Sequence, residues 1–346
     1  MSRISLVADA GLCSRVVAAI VAIFVGGYSA QGLAQTDAQR IQAATTTANT
    51  NAFCNALPKF YWEIGKGSQS TPMASGSRGG GAPSATTQMP VYSASKWVYG
   101  AYVFQKRSGV LSTADRRAAT MSMGYTENSA CLFDTTVGTC HTAMDAYDPA
   151  ALDKFFYASG HFQKHASVDL ALSAMNKTQL ATEIHSQVGS DFVFTYNQPQ
   201  LAGRGKSSAT DYAKFLRKIL NGQLLLSGSA LGSDAVCTYT DPTDPLTGRT
   251  NCPTALYSPV DDAAVGLQEA WHYSIGHWVE DDPVWLANGG DAAYSSPGAA
   301  GFYPWIDSSR TYYGILARNE VGATSSGESV KCGRLIRKAW LTATAQ

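Results

Sequence analysis

The sequence predicts an α+β fold: an antiparallel sheet drawn from both chain ends, flanked by helices, around a mainly helical middle lobe. Three observations carry this. An aromatic run at 60–64 lies near the start of the chain. Aromatic and β-branched runs separated by turn residues fill the region after 270. Between them, roughly 112–230, apolar residues recur at spacings of three and four.

Element by element, residues 36–57 are rich in Ala, Gln and Thr with few breakers and read as a helix, followed by the strand at 60–64. Residues 65–90 hold Ser, Gly, Pro and Thr and read as loop. A helix is expected over 93–108, then helical segments near 149–175, 177–188 and 208–222. Residues 238–262 read as a Pro-, Asp- and Thr-rich loop. Strands are expected at 273–279, 284–287, 298–306 and 311–317, with turns at Asp281-Asp282-Pro283 and Asp307-Ser308-Ser309. A last amphipathic helix spans 328–341. The sheet lobe then comprises about 35–90 and 265–346, and the helical lobe about 91–264, in one domain over 35–346. A site is expected in the cleft between the lobes.

Composition narrows the function classes. The 346 residues carry 26 Lys and Arg against 26 Asp and Glu, so there is no basic excess to hold nucleic acid. Hydrophobic residues make up 45 % and charged ones 15 %, too apolar for a disordered chain.

Residues 1–34 read as a secretory signal peptide. Arg3 and Arg15 precede and open an unbroken apolar run at 16–25, and Gly32 and Ala34 stand at small-x-small cleavage positions. The run is shorter than the roughly 20 residues that span a bilayer, which disfavours a membrane anchor, and no Cys follows it to carry a lipid. The mature protein is therefore expected to be periplasmic or secreted. Cys13 leaves with the leader, and six cysteines remain. An even count in an oxidising compartment points to three disulfides. Cys131 and Cys140 flank one short loop and Cys237 and Cys252 another, leaving Cys54–Cys332 to tie the first helix to the last. No C-x-x-C occurs to suggest a metal or redox site, and no cofactor is implied.

The sharpest chemical signal is Ser93-Ala94-Ser95-Lys96 at a loop-to-helix boundary. Residues three apart share a helix face, so a desolvated Lys96 with a lowered pKa would sit beside the Ser93 hydroxyl and take its proton. Alone the motif is weak, since an N-terminal capping Ser and an exposed Lys give the same pattern. Ser95 adjoins Lys96 and faces away from it. His161 and His165 stand one helical turn apart; they would bind a metal, line the cleft or serve structure, and Phe162 stands where a metalloprotease pattern needs Glu. Gly79-Gly80-Gly81 lacks the Gly-Lys-Ser/Thr of a phosphate loop.

Four stretches together resemble the serine β-lactamase and penicillin-binding protein superfamily, most nearly the branch with class C β-lactamases, D-alanyl-D-alanine carboxypeptidases and β-lactamase-like esterases. Tyr92-Ser93-Ala94-Ser95-Lys96-Trp97 is similar to the nucleophile helix, and Phe156-Tyr157-Ala158-Ser159 to the Tyr-x-Asn segment. The segment from Ala202 to Leu216 resembles a Gly-Gly-x-x-Ser-Thr-Ala-x-Asp helix start, and Ser296-Pro297-Gly298-Ala299-Ala300-Gly301-Phe302 the Lys/His-Thr/Ser-Gly motif and its strand. The resemblance implies a β-lactamase/DD-peptidase-like fold with Ser93 as nucleophile, Lys96 as base and a tyrosine as proton relay. Tyr157 and Tyr196 (in Thr195-Tyr196-Asn197-Gln198) both fit that role. It also implies a substrate wall at Tyr196, Ser296, Gly298 and Ala299, with the backbone N–H groups of Ser93 and Ala299 as oxyanion donors. Two departures matter: Ser159 replaces Asn, and Ser296 replaces the cation that would hold a substrate carboxylate. They point to an exported serine hydrolase acting on a neutral ester or amide, small or oligomeric. The rivals are a carboxypeptidase or β-lactamase, and an inactive binding protein of the same fold.

Overall fold

The computed structural model describes residues 35–129, 131 and 135–346; the expected signal peptide lies outside the described residues. Residues 35–346 form one compact unit. Its main sheet has eight antiparallel strands: β1 (Phe60–Lys66), β2 (Ala74–Arg78), β3 (Val236–Cys237), β4 (His272–Tyr273), β5 (Trp278–Val279), β6 (Tyr294–Ser295), β7 (Tyr303–Ile306) and β8 (Tyr312–Ala317). The order across the sheet is β2-β1-β8-β7-β6-β5-β4-β3. The N-terminal strand therefore enters beside the last strand, with Tyr61 opposite Ala317 and Gly65 opposite Tyr313. Both chain ends build one sheet, as the sequence predicts.

Five longer helices surround it: α1 (Asp37–Thr50), α2 (Ser95–Lys106), α3 (Lys177–Val188), α4 (Ala209–Leu220) and α5 (Ser325–Thr342). Their starts are written in the sequence. Thr36 with Gln39 and Asn176 with Gln179 form capping boxes, and Ser208 caps α4 through the Asp211 N–H. α1 and α5 pack together, and α5 rests on β7 and β8; α4 packs on β1, β7 and β8, and α2 on α3. Residues Ser95 to Val103 of α2 are all buried, so this helix has no solvent face over two turns and forms the centre of the molecule.

Three disulfides join Cys54 to Cys332, Cys131 to Cys140 and Cys237 to Cys252. The first links the short helix Ala52–Asn55 to α5.

The structure corrects several elements. The region 65–90 contains β2 and a two-residue strand Met89–Pro90; β2 is small and polar, and its pairing with β1 outweighs its weak β propensity. Residues 149–175 are not one helix. Tyr147–Leu152 pairs with Met123–Tyr125, Phe155–Phe156 pairs with Ala255–Tyr257, and only Gly160–Lys164 is α-helical, continued by a π turn over His165–Asp169. Asp153, at φ 62°, sits in a conformation that interrupts any helix. The expected strand at 284–287 is the short helix Pro283–Ala287. Asp282 caps it and Pro283 occupies its first turn, so the expected turn is a helix start. The expected strand at 273–279 is the β4–β5 hairpin, turned at Gly276.

Candidate active site

The chain enters α2 through a 3₁₀ turn, Tyr92–Ala94, whose first residue has φ 47°. A tyrosine in the left-handed region is strained, and it stands directly before Ser93. Ser95 fixes the turn: its buried hydroxyl donates to the Tyr92 carbonyl (2.6 Å) and accepts from the Gly205 N–H (3.0 Å). The Val91 N–H also donates to the Gly205 carbonyl, at 2.9 Å. Ser95 is thus a positioning hydroxyl turned away from the reacting side.

One helical turn on, Lys96 Nζ lies 3.0 Å from Ser93 Oγ and 2.8 Å from the Ala202 carbonyl. Lys96 is 2 % exposed. Burial pushes its ammonium down to about 7, so near neutral pH a large fraction is free amine. That amine can give one hydrogen to Ala202 and direct its lone pair at the Ser93 hydroxyl. Ala202 opens the segment that leads into α4, and its carbonyl as the anchor of the lysine was not visible in the sequence.

Tyr157 lies just before the helix Gly160–Lys164, with Lys96 Nζ 4.6 Å from its ring centre. Burial raises its phenol to about 12, against the lowering effect of a hydrogen bond with Ser93. Its ring stacks on Trp278 at 5.3 Å, which fixes the plane of the phenol. Ser93, Lys96 and Tyr157 therefore meet at one point.

This point opens into a cavity of about 260 Å³, lined by Ser93, Tyr157, Trp271, Trp278, Ala299 and Asn128 together with an apolar wall from Tyr257 to Leu267 and a rim at Gly322–Ala323. None of the described lining residues is charged. Asn128 and Trp271 come from loops and Tyr257 from the strand Ala255–Tyr257, far apart in sequence, and no motif marks them.

The stretch after β6 closes the opposite side. Ala299 lines the cavity, whereas Gly298 packs against the strand end before Ser93: a Cβ there would lie 2.3 Å from the Val91 carbonyl oxygen. Glycine is required for that approach. Two expected substrate contacts need correction. Ser296 is buried and does not line the cavity; its hydroxyl donates to the Ser93 carbonyl at 2.9 Å, so it holds the turn that carries Ser93 in place. Tyr196 is also buried away from the cavity, packed edge-on against Phe194 with its hydroxyl unpaired, and burial raises its pKa. It is a core aromatic of the helical lobe.

His161 and His165 do not converge. His161 Nδ1 accepts from the Met123 N–H (3.1 Å) and Nε2 donates to the Phe156 carbonyl (2.9 Å), and burial lowers it to about 4, a neutral ring. It braces the strand that delivers Tyr157. His165 bridges the Tyr99 hydroxyl and Asp115 at 2.8 Å each. Among the described residues no group of three or more His, Cys, Asp or Glu is placed to hold a metal.

No protein-family model matches the sequence, and no curated protein does. Solved structures match throughout the fold. A β-lactamase from Mycobacterium bovis aligns with TM-score 0.54 and 12 % identity over 84 % of this chain and 96 % of its own. The D-amino acid amidase of Ochrobactrum anthropi, solved with D-phenylalanine, gives 0.56 and 10 % over 89 % and 99 %. EstCE1, described as a hydrolase with promiscuous acyltransferase activity, gives 0.57 and 11 % over 88 % and 99 %. The chain has the β-lactamase-like fold that these solved structures share.

Proposed function

We propose that this chain, built on the β-lactamase-like fold, is an exported serine hydrolase that cleaves a neutral ester or amide through an acyl-enzyme on Ser93. The observation that carries the reading is the buried Lys96 amine, 3.0 Å from the Ser93 hydroxyl at the edge of an uncharged cavity. Ser93 Oγ attacks the carbonyl carbon while its proton passes to Lys96 Nζ. The developing oxyanion is held by the backbone N–H groups of Ser93 and Ala299, each such donor contributing about 3 kcal/mol. The proton then moves through the Tyr157 hydroxyl to the leaving oxygen or nitrogen as its bond to carbon breaks. In the second half, water gives a proton to the same amine and attacks the acyl carbon; the bond from that carbon to Ser93 Oγ breaks, and Ser93 Oγ takes the proton back from Lys96.

The uncharged wall and the buried, neutral Ser296 favour neutral substrates over the free carboxylates of a carboxypeptidase or β-lactamase reaction. The three disulfides support an oxidising compartment, and residues 1–34 are proposed as the cleaved leader. No described helix is long and apolar enough to cross a membrane.

Intact mass after incubation with nitrophenyl esters, β-lactams and short amides tests the reading. The expected result is an ester-derived adduct on Ser93, absent in Ser93→Ala, with ester turnover lost and the thermal midpoint retained. Turnover that survives in Ser93→Ala refutes the mechanism. A stable penicilloyl adduct without ester turnover would favour the carboxypeptidase reading, and no adduct at all an inactive binding protein.

A further inference from the structure

The Ala202 carbonyl that accepts from Lys96 lies in a turn, 201–203, between the short strands Thr195–Tyr196 and Gly205–Ser207. Leu201 and Ala202 are fully buried. The Arg204 N–H closes the turn on the Gln200 carbonyl at 3.2 Å. The backbone groups just before Ala202 are paired instead by a side chain, Gln163. It stands on the helix Gly160–Lys164, which follows Tyr157, and is itself fully buried. Its Nε2 donates to the Pro199 carbonyl at 2.8 Å and to the Val137 carbonyl at 2.9 Å, and its Oε1 accepts from the Leu201 N–H at 3.3 Å. Two carbonyls at one end and an N–H at the other fix the orientation of the amide. One carboxamide thus grips the Pro199–Leu201 backbone as a neighbouring strand would, one residue before the carbonyl that lies 2.8 Å from Lys96 Nζ. Buried peptide groups are costly to leave unpaired, so the turn is bound to follow Gln163.

We propose that Gln163 is a positioning residue: by holding the Pro199–Leu201 backbone it places the Ala202 carbonyl, and through it keeps Lys96 Nζ on the Ser93 hydroxyl. It also ties this anchor to the short helix that follows Tyr157, so that Lys96 and Tyr157 are set by one buried side chain. The effect on turnover rests on the hydrolase reading; the effect on Lys96 does not. Its sign follows from the chemistry of the contact. A carbonyl acceptor stabilises an ammonium more than an amine, so a displaced Ala202 carbonyl makes Lys96 harder to protonate. Two ionisable groups face Lys96 besides Ser93. They are the Tyr157 phenol, pushed up to about 12, and the His161 ring, lowered to about 4 by its burial. Both stay neutral between pH 5 and 9, so a titration over that range reports the contacts of Lys96 alone.

The test is Gln163→Met, which keeps the length of the side chain and removes all three hydrogen bonds. Hydrolysis of nitrophenyl acetate at pH 8 should lose about tenfold in kcat, with KM nearly unchanged because Gln163 does not line the cavity. Lys96 is read directly by NMR on protein carrying carbon-13 at Cε of lysine, its signal identified by loss in Lys96→Met. The titration midpoint of that signal should fall by about half a pH unit or more in Gln163→Met. Cys54→Ala with Cys332→Ala, a destabilised control remote from the turn, should leave the midpoint where it is. If Gln163→Met does not fold, Gln163→Asn, whose amide is one methylene short of the turn, is read in the same way.

A Lys96 midpoint that is unchanged, or that rises as water reaching the amine would make it, overturns the proposal whatever kcat does. Gln163 is then a packing residue, and the hydrolase reading stands on the turnover of the wild type. No turnover by the wild type, together with a lowered midpoint in the Gln163 variant, refutes the hydrolase reading and supports the hold of Gln163 on Lys96. Neither turnover nor a lowered midpoint overturns both.

Discussion

At the scale of single residues, the proposed chemistry turns on the protonation of Lys96. Its ammonium is brought from 10.5 to about 7 by burial, with no carboxylate among its hydrogen-bond partners to restore the charge. A general base must be unprotonated, so kcat/KM should fall about tenfold per pH unit below 7 and flatten above it. A profile flat from pH 5 to 9 would remove Lys96 as the base. The same shift has a stability sign. Between pH 7 and 10.5 the unfolded lysine carries a proton and the folded one does not, so the unfolded state binds more protons and stability rises with pH. Urea unfolding of the wild type against Lys96→Met should show that rise in the wild type only, and no difference in slope below pH 7. Tyr157, pushed up to about 12, stays a neutral phenol through this range, as the proposed relay requires. Tyr157→Phe should therefore lower kcat by about 10²–10³-fold while the pH midpoint near 7 persists. A Tyr157→Phe profile that loses that midpoint would transfer the base role to the phenol.

At the scale of elements, the site is assembled by close approaches of backbone that only glycine permits. A Cβ on Gly276, in the β4–β5 turn at φ 70°, would lie 2.2 Å from the Lys96 carbonyl oxygen, so this hairpin sits directly on the helix that carries Lys96. Gly298 does the same on the other side, against Val91. Gly298→Ala should push the Ala299 N–H away from the oxyanion position. The expected loss is about 10²-fold in kcat, with KM nearly unchanged, read in ester turnover; a KM effect alone would show that the segment only lines the pocket. The placement of Lys96 beside Ser93 was legible in the sequence, because the two stand three residues apart where a 3₁₀ turn runs into α2 and local spacing fixes their geometry. Tyr157 was legible only as one of two tyrosines, since the choice depends on which strand lies beside α2. Ser296 was misread because a motif position specifies where a residue stands, and not whether its hydroxyl faces substrate or the Ser93 carbonyl. The strand at 284–287 was misread because Asp-Pro serves equally as a turn and as a helix start. The cavity wall was illegible: Asn128, Tyr257 and Trp271 meet through tertiary packing alone.

At the scale of the whole molecule, the chain must close on itself before the site exists. β1 arrives from the N-terminal end and lies between β2 and β8, so the sheet that carries the 296–302 stretch between β6 and β7 is complete only when both ends are docked. Cys54–Cys332 spans 278 residues and secures that closure, whereas Cys131–Cys140 and Cys237–Cys252 close loops of 9 and 15 residues. Loop-closure entropy grows with the logarithm of loop length, so the long link constrains the unfolded chain most. Replacing Cys54 and Cys332 together by serine should cost about 4–5 kcal/mol in urea unfolding, against about 3 kcal/mol for the pair Cys237 and Cys252. Cys54 and Cys332 are both fully buried, so serine hydroxyls left there without partners add to the loss; alanine at both positions separates the two effects. If the alanine pair unfolds within 1 kcal/mol of the wild type, packing of α1 on α5 is sufficient to hold the ends together. The stabilising role assigned to an oxidising compartment would then fall away from the reading of this protein as an exported one.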